Sequence, residues 1–410
     1  MISVFTPTHN ALWLGKCYES LLAQTYDDWE WVVLINGDIQ NIVEPDDPRV
    51  RIVYSPPFIK GVGALKAKAV SLCEGDILVE LDHDDILMPN ALEKVAEAFN
   101  DPEIGFVFSN FSQINEDGTP NLTEFGSLHG WSYYQEGDYK ICNTKSAHPH
   151  HVAYIWYAPN HLRAFRKSVY SIAGGYDKSL MVLDDQDLMA RLYLVTKFHH
   201  IPENLYLQRI HNKQTQADPT INSFIQEETV RMYDRTIQNL ALKWASYQGL
   251  LALDLGGAHN PATGFTTVDL HDANINGDIF EVLANMDDNS VAVIRAHDFL
   301  EHISDKIRLW NEMYRVLCEG GMLLSLTPST DGRGAFQDPT HVSFYNENAF
   351  WYFIDENYRK YVPELKVNFQ KSRLLTFFPS PFHQQNNISY VQANLIACKG
   401  GERYGGMLGA

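Results

Sequence analysis

The sequence predicts two α/β units in tandem, joined by one long helix. Apolar runs of strand length alternate with helix-length segments from residue 2 to residue 90, the pattern of a parallel sheet with crossover helices. The stretch Ile221 to Gln248 contains no glycine or proline, and Val230, Tyr233, Ile237, Leu240 and Trp244 recur in it at helical spacing. The strand-and-turn pattern then begins again at Leu250. A chain of 410 residues with 45% hydrophobic and 20% charged content can build more than one full core. The expected boundaries are 1–218 for the first unit, 219–248 for the connecting helix, 249–400 for the second unit and 401–410 for a tail.

In the first unit, Ile2 to Phe5 reads as a strand and Thr6-Pro7-Thr8-His9-Asn10 as a polar turn after it. A helix is expected over Leu12 to Gln24. A strand follows over Trp29 to Ile35, ending in Asn36-Gly37-Asp38, with another over Val50 to Tyr54. Gly61 to Leu72 reads as a helix carrying Lys66 and Lys68. Ile77 to Leu81 is a short strand that runs into Asp82-His83-Asp84-Asp85. Carboxylates gathered at a strand end need cations or water beside them. A divalent metal carrying a diphosphate is one arrangement that meets the need, and a solvated acidic turn before the helix near Pro89 is the other. In a parallel sheet the turns at Thr8, Asn36 and Asp82 fall on one edge, where such folds bind ligands.

The net charge of −19 argues against nucleic acid or an anionic membrane as partner, because no basic field is present to meet phosphates. Cys17, Cys73, Cys142, Cys318 and Cys398 are scattered, with no Cys-x-x-Cys pair. This predicts reduced thiols rather than a disulfide framework or zinc knuckle. No apolar run approaches the length of a membrane span, and no basic-then-apolar leader precedes Ile2, so a cytoplasmic location is expected.

The combination of Thr6-Pro7-Thr8-His9-Asn10, Leu22-Ala23-Gln24-Thr25-Tyr26 with Trp29-Glu30, and Leu81-Asp82-His83-Asp84-Asp85 with Pro89 resembles a family 2 glycosyltransferase of GT-A fold over residues 1 to 215. The resemblance implies that Thr6, Pro7, Thr8, His9 and Asn36 flank the nucleotide base of a nucleotide-sugar donor. It places Lys66 near the nucleotide, Asp82 near the ribose and diphosphate, and Asp84 on a Mn²⁺ or Mg²⁺ ion, with Asp82 as a further metal ligand. His9 stands where tyrosine is common. Asn36 replaces an aspartate that often reads uracil, and it offers a donor as well as an acceptor. Further on, Gly174-Gly175-Tyr176-Asp177 leads into Leu183-Asp184-Asp185-Gln186-Asp187, an acidic helix start that the helix dipole alone would also favour. In the family this motif supplies the general base; Asp185 matches it best, with Asp184 beside it. Gln208-Arg209-Ile210-His211 resembles the loop over the diphosphate, with His211 as a second metal ligand or a surface histidine. The His- and aromatic-rich stretch from Ala147 to His161 is the expected place for a glycan or glycolipid acceptor.

In the second unit, Leu250 to Leu255 reads as a strand, Gly256-Gly257-Ala258-His259-Asn260-Pro261 as a turn, and Phe265 to Val268 as a strand ending at Asp269. A strand, a glycine turn and a second strand ending in an acid make a nucleoside-binding unit; the glycines do not form Gly-x-Gly-x-x-Gly. A strand over Asn289 to Ile294, the segment Arg295 to Ile303, a helix to Leu317 and a strand over Met322 to Leu326 complete the order. It resembles a class I S-adenosylmethionine-dependent methyltransferase over residues 250 to 400. The resemblance implies that Asp254, Gly256 and Gly257 form the cofactor turn, with Asp269 on the ribose and Asp278 near the adenine. It places His297 to His302 beside the methyl group. Ala258 stands where a second glycine is usual. His302, His297 and His341, the last in Gln337-Asp338-Pro339-Thr340-His341, are candidate bases.

The reading is a metal-dependent, inverting glycosyltransferase followed by a methyltransferase, both acting on one glycan. The alternatives are a glycan-binding scaffold with two degenerate enzyme folds and a nucleotidyltransferase using the same acidic strand end.

Overall fold

Strand β1 (Ile2–Thr8) lies inside the first sheet, and its side chains are buried almost throughout. It pairs in parallel with β2 (Trp29–Ile35) on one side and with β4 (Ile77–Glu80) on the other, and β3 (Val50–Tyr54) extends the β2 side. The chain therefore winds outward through β2 and β3, then returns across β1, which opens a crevice at the carboxyl ends of β1 and β4. The remaining strands are β5 (Ile86–Leu87), β6 (Ile104–Ile114), β7 (Pro120–Asn121), β8 (Tyr133–Glu136), β9 (Tyr139–Cys142), β10 (Arg163–Arg166) and β11 (Lys197–Arg209). The sheet order is β3-β2-β1-β4-β10-β6-β11-β5, with β10 antiparallel to both of its neighbours. Helices α1 (Leu14–Leu22), α2 (Val62–Leu72), α3 (Ala91–Ala98), α4 (Pro149–Ala153), α5 (Lys167–Ile172) and α6 (Asp184–Val195) complete the unit. Its core joins Leu65, Ala69 and Val70 of α2 and Leu188, Met189 and Leu192 of α6 to Phe5, Val32, Leu78, Phe106 and Phe165 of the sheet.

The structure is a computed structural model that describes residues 1–39, 45–124, 131–154, 161–212, 214, 218–401 and 403–405. It divides into two compact units, Met1–Leu240 and Ala241–Ala410, so the division falls inside α7 (Pro219–Gln248). Within the first unit, Ile225 and Met232 of α7 cluster with Leu183, and Tyr233 stacks on Tyr154.

The second unit holds β12 (Leu251–Leu255), β13 (Thr266–Asp269), β14 (Ile275–Asn276), α8 (Ile279–Ala284), β15 (Val291–His297), α9 (Lys306–Val316), β16 (Leu317–Pro328), β17 (Phe369–Phe377) and β18 (Tyr390–Ala397). Its sheet order is β14-β13-β12-β15-β16-β18-β17. The first five strands are parallel, and β18 is antiparallel to both β16 and β17. The crevice here lies between the carboxyl ends of β12 and β15. This is the Rossmann-like architecture expected from the resemblance, as the first sheet is for a GT-A fold.

Several boundaries differ from the sequence reading; β15, for example, runs on to His297, past the strand end expected at Ile294. Thr6-Pro7-Thr8, expected in a turn, belongs to β1: the pairing continues to Thr8 opposite Ile35, and the Thr6 hydroxyl donates to the Leu81 carbonyl at 2.8 Å. The strand expected over Met322 to Leu326 begins earlier, at Leu317, and Gly320-Gly321 lies within β16 as a bulge, since Leu317 pairs with Val291 and Met322 with Val293. Among the described residues no helix is long and apolar enough to cross a membrane.

Candidate functional site

The acidic turn after β4 is held from below and from the side. The Cys17 thiol of α1 lies 3.3 Å from the carbonyl oxygens of His83 and Asp85, and burial raises its pKa well above the usual thiol range. The end of β11 supplies the second clamp. The buried Arg209 donates from Nε to the Asp84 carbonyl at 2.8 Å, and its backbone N–H donates to Asp85 Oδ1 at 2.7 Å. The same strand end brings His211 to Asp84, with Nε2 and Oδ2 at 2.8 Å. Asp82 lies instead with Asp85 and His161, their ligand atoms all within 4.8 Å of one another. The Asp82 side chain is 38% exposed, with Arg163 at 3.8 Å and the Glu80 and Asp84 carboxylates around it. Burial, followed by the Glu80 charge, raises its pKa. Burial also drives the His161 pKa well below the usual histidine range.

Beside this turn lies a buried ion network. Glu80, at the end of β4, accepts from Lys66 Nζ at 2.6 Å and from the Tyr176 hydroxyl at 2.9 Å; Arg163 Nε is 3.1 Å from its carboxylate. Lys66 also reaches Asp184 at 2.8 Å, and Arg163 reaches Asp185 at 2.7 Å. Burial disfavours the Lys66 ammonium, but the Asp184 and Glu80 carboxylates outweigh it and raise its pKa. Burial likewise opposes the Glu80 carboxylate, and Arg163 and Lys66 hold it down to about 2. Asp184 is buried, whereas the Asp185 side chain keeps 26% of its surface exposed. Both stand in the first turn of α6, where the helix dipole favours negative charge.

The carboxylates of Glu80, Asp82, Asp84, Asp85, Asp184 and Asp185 outnumber the cations Lys66, Arg163 and Arg209 around them. That excess, with Asp84 and His211 already in contact, is a donor set suited to a hard divalent cation.

Other expected residues have different surroundings. Thr6 is buried, and besides its bond to Leu81 it accepts from Trp31 Nε1 at 2.9 Å, so its hydroxyl serves the sheet. Thr8 closes a local turn with Asn10, while Pro7 and Asn36 are half-buried at the crevice edge. His9 is exposed and meets His83 edge to face. Lys66 lies within the ion network rather than at the surface. Of the stretch expected to face the acceptor, residues 155–160 lie outside the described residues. His148, His150 and His151 are buried in and beside α4, and His161 stacks on Tyr206.

In the second unit, Gly256 at the end of β12 has φ +72°, and a Cβ there would lie 2.8 Å from the Phe299 ring. A Cβ on Gly257 would lie 2.6 Å from the Asp254 carboxylate. The fully buried Asp254 accepts from Arg295 at 2.7 Å and from the Ala262 N–H at 2.9 Å. Asp269 ends β13 and accepts the N–H groups of Leu270 and Ala258 at 2.7 and 3.3 Å. Asp278 caps α8 by accepting from the Phe280 N–H. Arg295 donates to His297 Nδ1 at 3.0 Å; the His297 proton is then on Nε2, which makes that nitrogen a donor. Burial, reinforced by Arg295, lowers the His297 pKa to about 4.

Residues 3–167 match the family model described as Glycosyl transferase family 2, and residues 259–325 match the model described as Methyltransferase domain. The chain carries a family 2 glycosyltransferase domain and a methyltransferase domain. Relatives of the glycosyltransferase part include the chondroitin synthase of Escherichia coli, 25% identical over 62% of this chain and 35% of that protein. Another is the hyaluronan synthase of Pasteurella multocida, 26% identical over 52% of this chain and 21% of that protein. This chain thus spans about a third or less of the length of these relatives. The solved structure of S. aureus TarS with UDP-GlcNAc is 13% identical, with a TM-score of 0.43, covering 60% of this chain and 73% of that one.

The glycosyltransferase domain contains residues that the sequence reading missed. Glu80 carried a signal, because an acid inside Ile77-Leu78-Val79-Glu80-Leu81 requires a buried cation. Nothing in the sequence links it to Arg163, 83 residues away, or to Tyr176.

Proposed function

We propose that the first unit transfers a sugar, with inversion, from a nucleotide-sugar donor to a hydroxyl of a glycan acceptor. The observation that carries the reading is the network Asp184–Lys66–Glu80–Arg163–Asp185, which sets two carboxylates of α6 beside the acidic turn of β4. Asp185 is the general base. Its carboxylate is oriented by Arg163 and reaches solvent, and it takes the proton of the acceptor hydroxyl as that oxygen bonds to the anomeric carbon. The bond from the anomeric carbon to the diphosphate breaks on the opposite face, and a nucleoside diphosphate leaves. Asp184 is fixed by Lys66 and orients the acceptor. Asp84 and His211 would hold Mn²⁺ or Mg²⁺, which supplies countercharge for the leaving diphosphate, and Asp82 would lie beside them near the ribose and diphosphate. Thr8, Pro7, His9 and Asn36 line the crevice edge where the base would lie. That the relatives include a chondroitin synthase and a hyaluronan synthase supports a glycan acceptor.

The glycine turn at Gly256-Gly257 and the acid Asp269 fit S-adenosylmethionine. These residues would hold it, and when bound it supplies the methyl group for a hydroxyl of the same glycan. Asp254 contributes through Arg295, which already occupies its carboxylate.

The test is a thermal-shift panel of nucleoside diphosphates with and without Mn²⁺, and of S-adenosylhomocysteine, followed by assay of nucleoside diphosphate release. A metal-dependent shift that is lost in Asp84→Asn supports the reading. A chain that binds none of these ligands refutes it and favours a glycan-binding scaffold. Release of inorganic diphosphate from a nucleoside triphosphate would instead identify a nucleotidyltransferase.

A further inference from the structure

The second unit gathers a carboxylate and two imidazoles away from its glycine turn. Glu301 and His302 sit in the short 3₁₀ turn Leu300–His302 after β15, and His341 lies in the loop after β16. Both loops leave the carboxyl edge of the parallel sheet. One ligand atom from each of the three residues lies within 4.8 Å of the other two. The Glu301 residue is only 2% exposed. Its Oε2 accepts from the Thr327 hydroxyl at 2.6 Å, while Oε1 is buried with no hydrogen-bond partner among the described residues. A buried carboxylate oxygen in that state demands a cation or a donor.

The hydrogen bonds around the two histidines fix which nitrogen each presents. His341 Nδ1 lies 2.9 Å from the Ala335 carbonyl, which can only accept, so in the neutral ring Nδ1 carries the proton and Nε2 the lone pair. His302 Nδ1 lies 3.1 Å from the Thr340 hydroxyl oxygen. That hydroxyl donates its own proton to Asp338 Oδ1 at 2.6 Å, so it must accept from His302. In its neutral form each ring therefore presents an Nε2 lone pair, the form in which imidazole binds a metal. A metal-ligating histidine characteristically donates its other N–H to a carbonyl, or through a chain to a carboxylate, and both arrangements occur here. The Asp338-Pro339-Thr340-His341 motif thereby acquires a reason: it supplies one imidazole and orients the other. Asp298 adds negative charge near both rings.

We propose that Glu301, His302 and His341 bind a divalent transition-metal ion of the zinc class, leaving a coordination position open for water or a substrate hydroxyl. Two imidazole nitrogens and one carboxylate oxygen are a donor set of this class, unlike the oxygen-rich set of the first unit. The assignment removes His302 and His341 from the role of free base. It stands independently of sugar transfer and of methyl transfer.

The test uses the full chain carrying Asp84→Asn, which removes the cation proposed for the first unit. The protein is stripped with chelator and titrated with Co²⁺, and bound cobalt is read by elemental analysis and visible absorption. The expected result is about one equivalent with the d–d bands of mixed nitrogen and oxygen ligation. Adding His341→Ala should weaken binding at least about tenfold. Thr340→Val, at the exposed end of the relay, should weaken it by about 10- to 100-fold while circular dichroism stays unchanged. Failure of the Asp84→Asn chain to bind cobalt overturns the proposal. Cobalt binding unchanged by Glu301→Gln, His341→Ala and Thr340→Val also overturns it. Neither result bears on the first unit, whose test is the nucleotide shift.

Discussion

Replacing Glu80 by glutamine should destabilise the first unit by about 3–4 kcal/mol. Two routes lead to that figure. The Glu80 side chain is 2% exposed and faces Lys66 and Arg163, and removing one partner of a buried ion pair costs about 3–5 kcal/mol because the remaining charge is left uncompensated. Separately, burial opposes the carboxylate while Arg163 and Lys66 hold its pKa at about 2 instead of 4.5. That lowering corresponds to about 3 kcal/mol, at roughly 1.4 kcal/mol for each tenfold change in proton affinity. Asp184 and Asp185 still serve Lys66 and Arg163, which keeps the loss at the lower end. Two units unfold in one chain, so a global melt mixes their transitions. Hydrogen exchange in peptides covering β4 and β10 reads the first unit directly. Tyr176→Phe removes one hydrogen bond to the same carboxylate and should cost about 1.5–3 kcal/mol in the same peptides. If Glu80→Gln changes their stability by less than about 1 kcal/mol, the network is not what holds β4 to β10 and α6.

Further expectations concern single residues. Asp185→Asn should lower kcat by about 10²- to 10⁴-fold with donor affinity nearly unchanged, as steady-state kinetics would show; full activity would disprove its role as base. Gly256→Ala should cost about 2 kcal/mol, from the positive φ and from a Cβ 2.8 Å from Phe299, and should erase any thermal shift with S-adenosylhomocysteine. His297 has a folded pKa of about 4 against 6.5 for the free side chain, so between these values the unfolded chain binds more protons. Stability of the second unit should therefore be full above pH 6.5 and fall by up to about 3 kcal/mol as the pH drops toward 4. Part of that dependence should vanish in His297→Asn when exchange in β15 is compared at pH 7.5 and 5.

By itself the sequence determined the local elements and their alternation. Trp29–Ile35, Val50–Tyr54 and the long glycine-free helix are legible because apolar spacing is a local property. The same is true of the carboxylates placed after β4 and in α6, and of the glycine turn after β12. The tertiary structure alone decided which of these meet. The reading ended β1 at Phe5 because Thr6-Pro7-Thr8 is polar, and only pairing with β2 and the bond to Leu81 reveals those residues as strand. No spacing rule announces β10, the antiparallel strand that puts Arg163 between Glu80 and Asp185, or the β18 hairpin that closes the second sheet. Asp84 meets His211 across 127 residues because β11 runs parallel to β6 and ends beside the acidic turn. Glu301 and His302 meet His341 because adjacent parallel strands must end on the same edge. The physical reason is common to all these cases. A side chain's periodicity records which face it buries, whereas an ion pair or a ligand set depends on strand order, which is settled by the packing of the whole sheet.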